Sequence, residues 1–154
     1  MVTIDQIKSL REKTGMGVMD VRKALMEAKG EEKKAVELLK KRGVEKSEKK
    51  LERETKSGIV ESYIHGEGKI GVLLELDCET DFVARTDDFK KLAHELCLQI
   101  SSMKPVDVKT LLQQEYIRDA GMKIEDLVKQ SIGKLGENII VSRFTRFKLG
   151  EKQQ

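Results

Sequence analysis

Apolar positions along this chain recur at two spacings, and the change from one to the other divides it. From Ile4 to Leu39 they return every three or four residues, from Ile59 to Cys78 they mostly alternate, and afterwards the helical spacing resumes. Thr3 and Gln6 form a capping-box pattern, and Ile4, Ile7 and Leu10 stripe the helix it opens. Thr14-Gly15-Met16-Gly17 interrupts that stripe, since a glycine inside a helix costs about 1 kcal/mol. Val18, Val21, Leu25 and Ala28 predict a second helix stopped at Gly30; Ala35, Leu38 and Leu39 predict a third stopped at Gly43. Residues 1–44 therefore read as a compact three-helix bundle with a small core. Residues 45–56 hold Leu51 as their one large apolar residue below Val44, among Lys, Arg and Glu, and read as a charged linker or solvated helix.

Residues 57–150 read as a second, mixed unit. Gly58 to Ile64 is rich in β-formers, Gly66-Glu67-Gly68 marks a turn, and Ile70, Val72, Leu74, Leu76 and Cys78 alternate with polar residues except at Leu73. That predicts a hairpin with one covered face. Phe89, Leu92, Ala93, Leu96, Cys97 and Ile100 form one apolar helical face, ended by Pro105. Val108, Leu111 and Leu112 begin a shorter helix followed by Gly121, and Ile124, Leu127, Val128, Ile132 and Leu135 stripe another. Ile139 to Leu149 reads as a strand whose apolar phase slips between Val141 and Phe147, as a bulge would make it do. The predicted class is α+β: an N-terminal three-helix bundle, then a core with a small antiparallel sheet, joined by the last strand, and packed helices.

Composition narrows the class. The 154 residues are 38% hydrophobic and 37% charged, with one proline and no tryptophan, as suits a soluble protein of modest cores. No apolar run approaches a membrane span and the N-terminus has no signal-peptide stretch, so a cytoplasmic location and no membrane partner are expected. Cys78 and Cys97 then read as reduced thiols. The net charge of +3 is uneven: residues 1–56 hold sixteen Lys and Arg against eleven Asp and Glu. That basic region has no aromatic residue before Tyr63, hence no platform on which bases could stack, and no direct nucleic-acid contact is expected.

Three patterns carry possible chemistry. Gly66-Glu67-Gly68-Lys69-Ile70-Gly71 matches the dinucleotide fingerprint formally, but a strand follows it where the pyrophosphate needs a helix N-terminus. With no phosphate loop elsewhere, no bound nucleotide or other cofactor is expected. His94 and Cys97 stand three apart on one helix, near which Cys78 could fall. A lone pair of that kind lacks metal-ligand spacing, so both cysteines read as packing residues, with His94 half exposed beside the stripe. Two histidines far apart, without a serine or cysteine elbow, make no visible catalytic set.

The third is Thr80-Asp81-Phe82-Val83, at a corner between strand and helix that also holds Glu79, Arg85, Asp87 and Asp88. Thr80 can cap a short turn, Asp81 suits its positive end, and Phe82 or Val83 can pack inward. The other reading has Asp81 and Phe82 projecting together as an apolar ring and a carboxylate.

The run Cys78-Glu79-Thr80-Asp81-Phe82-Val83-Ala84 closely resembles the signature of elongation factor Ts. Further motifs lie in the family's order: Leu10 to Gly15, Met19-Asp20, Lys23-Ala24-Leu25 and Ala28, then Gly136-Glu137-Asn138-Ile139 with Phe144, Arg146 and Phe147. The Met16-Gly17-Val18 turn is similar to the Met-Gly loop of ubiquitin-associated domains, which supports the shape of the bundle. The resemblance implies guanine-nucleotide exchange on the translational GTPase elongation factor Tu, by binding rather than by enzymatic chemistry. It implies that Thr80, Asp81, Phe82 and Val83 disturb the partner's Mg²⁺ and phosphate site, and that Arg22 and Lys23 touch its GTPase domain. Long members of that family carry two related core halves; this chain has room for one, like the short members that pair as homodimers. A competing reading from composition alone is a basic helical adaptor for ribosomes or RNA, without exchange activity.

Overall fold

The structure is a computed structural model that describes residues 1–152. Its elements are α1 (Ile4–Thr14), α2 (Val18–Glu27), α3 (Glu32–Glu48), β1 (Ser57–His65), β2 (Ile70–Cys78), α4 (Asp81–Ala84), α5 (Asp87–Met103), α6 (Val108–Gln113), β3 (Glu115–Tyr116), β4 (Asp119–Lys123), α7 (Ile124–Leu135) and β5 (Ile139–Lys148). The class is α+β, and the three N-terminal helices form a bundle like that of ubiquitin-associated domains.

The capping box is present. The Thr3 hydroxyl accepts the Gln6 N–H at 3.2 Å while the Gln6 side chain accepts the Thr3 N–H at 3.0 Å, so two otherwise unpaired donors at the helix start are satisfied reciprocally. Leu10, Met16, Val21, Ala24, Leu25, Ala28, Ala35 and Leu39 are the buried core of the bundle. Ile4 and Val18, expected in the stripes, are exposed; each is the first residue of its helix, outside the core that the later turns build.

The third helix does not stop at Gly43. It runs to Glu48, because Gly43 is a crossing point rather than a cap. A Cβ on Gly133 of α7 would stand 2.4 Å from the Gly43 carbonyl oxygen and 2.7 Å from its Cα. The missing side chain at Gly133 is what allows the backbones of α3 and α7 to approach so closely, whereas a Cβ on Gly43 would come no nearer than 3.9 Å to Gln130, and this crossing seats the bundle on the rest of the molecule.

β1, β2 and β5 form an antiparallel sheet in that order, with β2 central. The last strand thus joins the hairpin's sheet, and the expected slip lies where the register shifts between Glu75 and Leu76, opposite Ser142. Val72, Leu74, Leu76, Cys78, Ile139 and Val141 face inward against Phe89, Leu92, Leu96, Cys97 and Ile100 of α5, and Ile124, Val128 and Ile132 of α7 complete the core. The opposite face of the sheet leaves Val60, Ile64, Leu73, Ile140 and Phe147 exposed.

One element lies outside the sequence reading. After α6, where the chain reads as helix and then Gly121, β3 and β4 make a small hairpin. Its partner is a fully buried glutamine. Gln99 of α5 donates to the Gln114 side chain at 3.2 Å and the Glu115 carbonyl at 3.0 Å, and accepts the Ile117 N–H at 3.0 Å. A buried amide satisfied in this way orders a segment with little apolar pattern of its own.

Candidate functional site

The corner between β2 and α5 is built from two helix caps in succession. The Thr80 hydroxyl accepts the Val83 N–H at 3.3 Å and opens the single turn α4. Thr86 then accepts the Phe89 N–H at 3.2 Å to open α5, and its own hydroxyl donates to the Val83 carbonyl at 2.7 Å. Within this corner the side chains divide. Val83 and Ala84 are buried in the core, whereas Phe82 is 83% exposed. Both halves of the sequence reading thus apply to different residues: Thr80 caps and Val83 packs, while Phe82 projects.

Asp81, beside that ring, lies 2.6 Å from Arg85 one turn on, with both side chains well exposed. An exposed pair of this spacing contributes only a few tenths of a kcal/mol, so the Asp81 carboxylate is readily lent to another cation. Beneath the turn the Cys78 thiol, fully buried, donates to the Thr80 carbonyl at 3.1 Å. Burial, followed by the nearby charge of Glu137, pushes that thiol up to about 11, and burial pushes Cys97 up to about 12. Both cysteines are free and have the character of apolar packing residues rather than reactive thiols.

Two residues of the α7–β5 corner, to which the sequence reading gave no site role, hold the turn from behind. The Glu137 carboxylate accepts the Thr80 N–H at 2.9 Å and the Thr80 hydroxyl at 2.6 Å. The Asn138 N–H donates to Glu79 at 2.8 Å. Glu137 and Asn138 lie nearly sixty positions from the turn they hold, and the one sequence signal that could have found them is the Gly-Glu-Asn corner itself.

Arg22 and Lys23 are exposed on α2, next to the buried Val21. Among the described residues no ion pair or hydrogen bond joins them to the turn; they occupy a separate element of the surface. Gly66, Glu67 and Gly68 have φ of 62°, 59° and 83° and lead into β2, so the formal dinucleotide fingerprint is a hairpin turn. His94 is exposed and meets Tyr63 edge to face with ring centroids 5.6 Å apart.

A cavity of about 520 Å³ lies between α5, α7 and the small hairpin, lined by Asp88, Glu95, Arg118 and Lys134 among others. Four of its charges pair internally, Glu95 with Arg118 and Asp88 with Lys134, and the lining Lys91 forms no ion pair among the described residues. No helix among the described residues is long and apolar enough to cross a membrane.

Comparison with known proteins matches residues 79–154 to the elongation factor TS family. The chain is 42% identical to elongation factor Ts of Thermotoga sp. strain RQ2 over 193 aligned positions, covering 97% of each chain. It is 43% identical to elongation factor Ts of Thermotoga neapolitana over 194 positions, covering 98% of each. With elongation factor Ts of Fervidobacterium nodosum the identity is 40% over 195 positions, covering 97% of this chain and 99% of the relative. These alignments are longer than the 154 residues aligned to them, so the relatives hold positions that no residue of this chain faces.

Proposed function

The chain belongs to the elongation factor Ts family, and from that premise we propose that it promotes release of guanine nucleotide from elongation factor Tu by binding it. A GTPase holds its nucleotide with backbone amides around the phosphates and a coordinated Mg²⁺. Dislodging the nucleotide requires distorting that cradle and disturbing the ion's ligands. Phe82 is suited to the distortion, because its ring is exposed in the free protein and the core beneath it is already filled by Val83 and Ala84. Asp81 is suited to disturbing the ion, since among the described residues its carboxylate pairs with an exposed arginine alone, and it competes for positive charge near the Mg²⁺. Thr80 and Val83 fix the turn to the core, and Arg22 and Lys23 supply contacts from α2. The exposure of Phe82 at a rigidly capped corner is the observation that carries this reading.

The remaining parts follow from the same premise. No cofactor is required, since the factor acts on its partner's ligand; it works in the cytoplasm beside that partner, without contacting nucleic acid or membrane directly. A second copy of the chain covers the exposed sheet face, giving a homodimer. The test is stopped-flow release of a fluorescent GDP analogue from elongation factor Tu with and without this chain. Acceleration that saturates with factor concentration is the expected result. Absence of acceleration, with salt-sensitive RNA binding in its place, would establish the adaptor reading instead.

A further inference from the structure

Three segments distant in sequence are tied together immediately behind the Phe82 turn, and the tie is made by side chains. Glu137 takes both polar hydrogens of Thr80, from the backbone N–H and from the hydroxyl. Because a carboxylate only accepts, the hydroxyl spends its one proton there and keeps its lone pairs for Val83, whose N–H it accepts. The rotamer of Thr80, and with it the start of α4, is therefore set from the α7–β5 corner. Asn138, the only asparagine in the chain, is 1% exposed and extends the tie. Its backbone N–H meets Glu79, and its side-chain amide donates to the Leu51 carbonyl at 3.2 Å and the Arg53 carbonyl at 2.8 Å. Arg53 in turn stands 3.6 Å from the same Glu79 oxygen. Residues 51–53 connect α3 to β1, so the segment that leads out of the bundle and the turn that carries Phe82 are fastened to one corner.

We infer that Glu137 is a positioning residue, which with Asn138 latches the Thr80-Asp81-Phe82 turn and so fixes the direction in which Phe82 is presented. This rests on the exchange reading above and adds to it a residue that touches neither the nucleotide nor the ring. A ring on an unlatched turn samples many directions, and the partner would have to order it on contact, which removes part of the binding energy available to distort the phosphate cradle.

Two measurements on Glu137→Ala test it, with Glu137→Gln as the conservative partner and Thr80→Val as a second variant should Glu137→Ala fold poorly. Amide hydrogen exchange in the free protein should quicken at Thr80 and Val83 by about tenfold in Glu137→Ala, the order set by losing one charge-assisted hydrogen bond. The increase should be smaller in Glu137→Gln, which retains an acceptor. In the stopped-flow assay the maximal rate of GDP release should fall several-fold, with the half-saturating concentration near that of the unaltered protein, because the α2 contacts are untouched. A global loss of stability would quicken amides throughout the chain instead, and that pattern overturns the inference. So do unchanged amide rates at Thr80 and Val83. Faster amides with an unaltered release rate also overturn it, when Phe82→Ala slows release in the same assay. If Phe82→Ala has no effect there, the exchange reading of this turn falls, and the latch stands or falls on the amide rates alone.

Discussion

At the scale of single residues, the corner after β2 separates roles that the sequence places side by side. Phe82 and Val83 are adjacent and both apolar, yet one is exposed and the other buried, because the Thr80 cap fixes the helical turn on which they diverge. Sequence chemistry left open which of them packs inward; only the direction of the turn decides it, and that direction depends on Glu137, far away in sequence. Phe82→Ala should therefore change the unfolding free energy by less than about 1 kcal/mol, as at a surface site, rather than the ~3–5 kcal/mol of a core Phe→Ala change. Its effect should fall on the maximal release rate. Burying such a ring only in the complex is worth ~1.5–3 kcal/mol, so the rate should drop on the order of 10–100-fold. Thermal unfolding and stopped-flow release on one preparation check both; a well-folded variant with normal release would defeat the wedge. The cysteines make the complementary case, since their place in apolar patterns was readable. With both thiols raised by burial, iodoacetamide at about pH 8, just under the ordinary thiol value, should label Cys78 and Cys97 slowly in the folded chain and fully in guanidinium, as mass spectrometry would show. Rapid labelling of the folded protein would contradict that packing.

At the scale of elements, the legible parts were those whose signal is local. Capping boxes, apolar stripes and strand alternation lie within a few residues, and α1, α2, α5, α7 and the β1–β2 hairpin followed from them, as did the bulge in β5 from its slipped phase. Two features rest on distant partners and were not legible. The β3–β4 hairpin is ordered by Gln99 from another helix, and α3 passes through Gly43 because Gly133 of α7 meets it there. The two glycines give a paired test with opposite signs. Helix propensity alone favours alanine over glycine by about 1 kcal/mol. At Gly43 a Cβ would have only ordinary contacts, at 3.9 Å from Gln130, so Gly43→Ala should gain up to about 1 kcal/mol. At Gly133 the Cβ would meet Gly43 backbone, which cannot yield without moving α3, so Gly133→Ala should lose about 1–3 kcal/mol in denaturant unfolding. Stabilisation by both would show that the helices slide apart freely. The contact between α5 and the small hairpin adds a pH dependence. Burial acts to raise the Glu95 carboxyl, but hydrogen bonds from Arg118 and Tyr116 outweigh it and hold Glu95 below its ordinary 4.5. A lowered carboxyl stabilises the fold at pH above the unfolded value, and that contribution is lost as pH falls through the lower folded value. The melting temperature should thus fall below about pH 4.5 in part through Glu95, and Glu95→Gln should flatten that part of the profile. An unchanged acid limb in the variant would remove Glu95 from the account.

At the scale of the whole molecule, the sheet has helices on one face and, among the described residues, none on the other, and the open face is not polar. Across the three strands it presents Ile64, Gly71 and Phe147 in one row, then Ser62, Leu73 and Thr145, then Val60, Glu75 and Arg143, and last Gly58, Asp77 and Ile140. The apolar members stand at both edges as well as the centre, and Glu75 pairs with Arg143 at 3.2 Å, which leaves Asp77, at one end of these rows, as the charge without an ion pair among the described residues. A face of this kind on an antiparallel sheet is ordinarily covered, and no element among the described residues covers it. A second copy is the simplest cover, because a two-fold axis through the sheet brings the same patch against itself. Leu73 lies on the central strand and would sit near such an axis, facing its own counterpart. Sedimentation at tens-of-micromolar concentration should give a dimer for the unaltered chain, a range in which a moderate interface is populated. Leu73→Glu should give a monomer with a nearly unchanged melting curve at low concentration, since it buries like charges only in the pair and leaves the exposed strand position of the monomer intact. A monomeric unaltered chain with full exchange activity would sink the dimer, and a Leu73→Glu chain that remains dimeric would move the interface to another face.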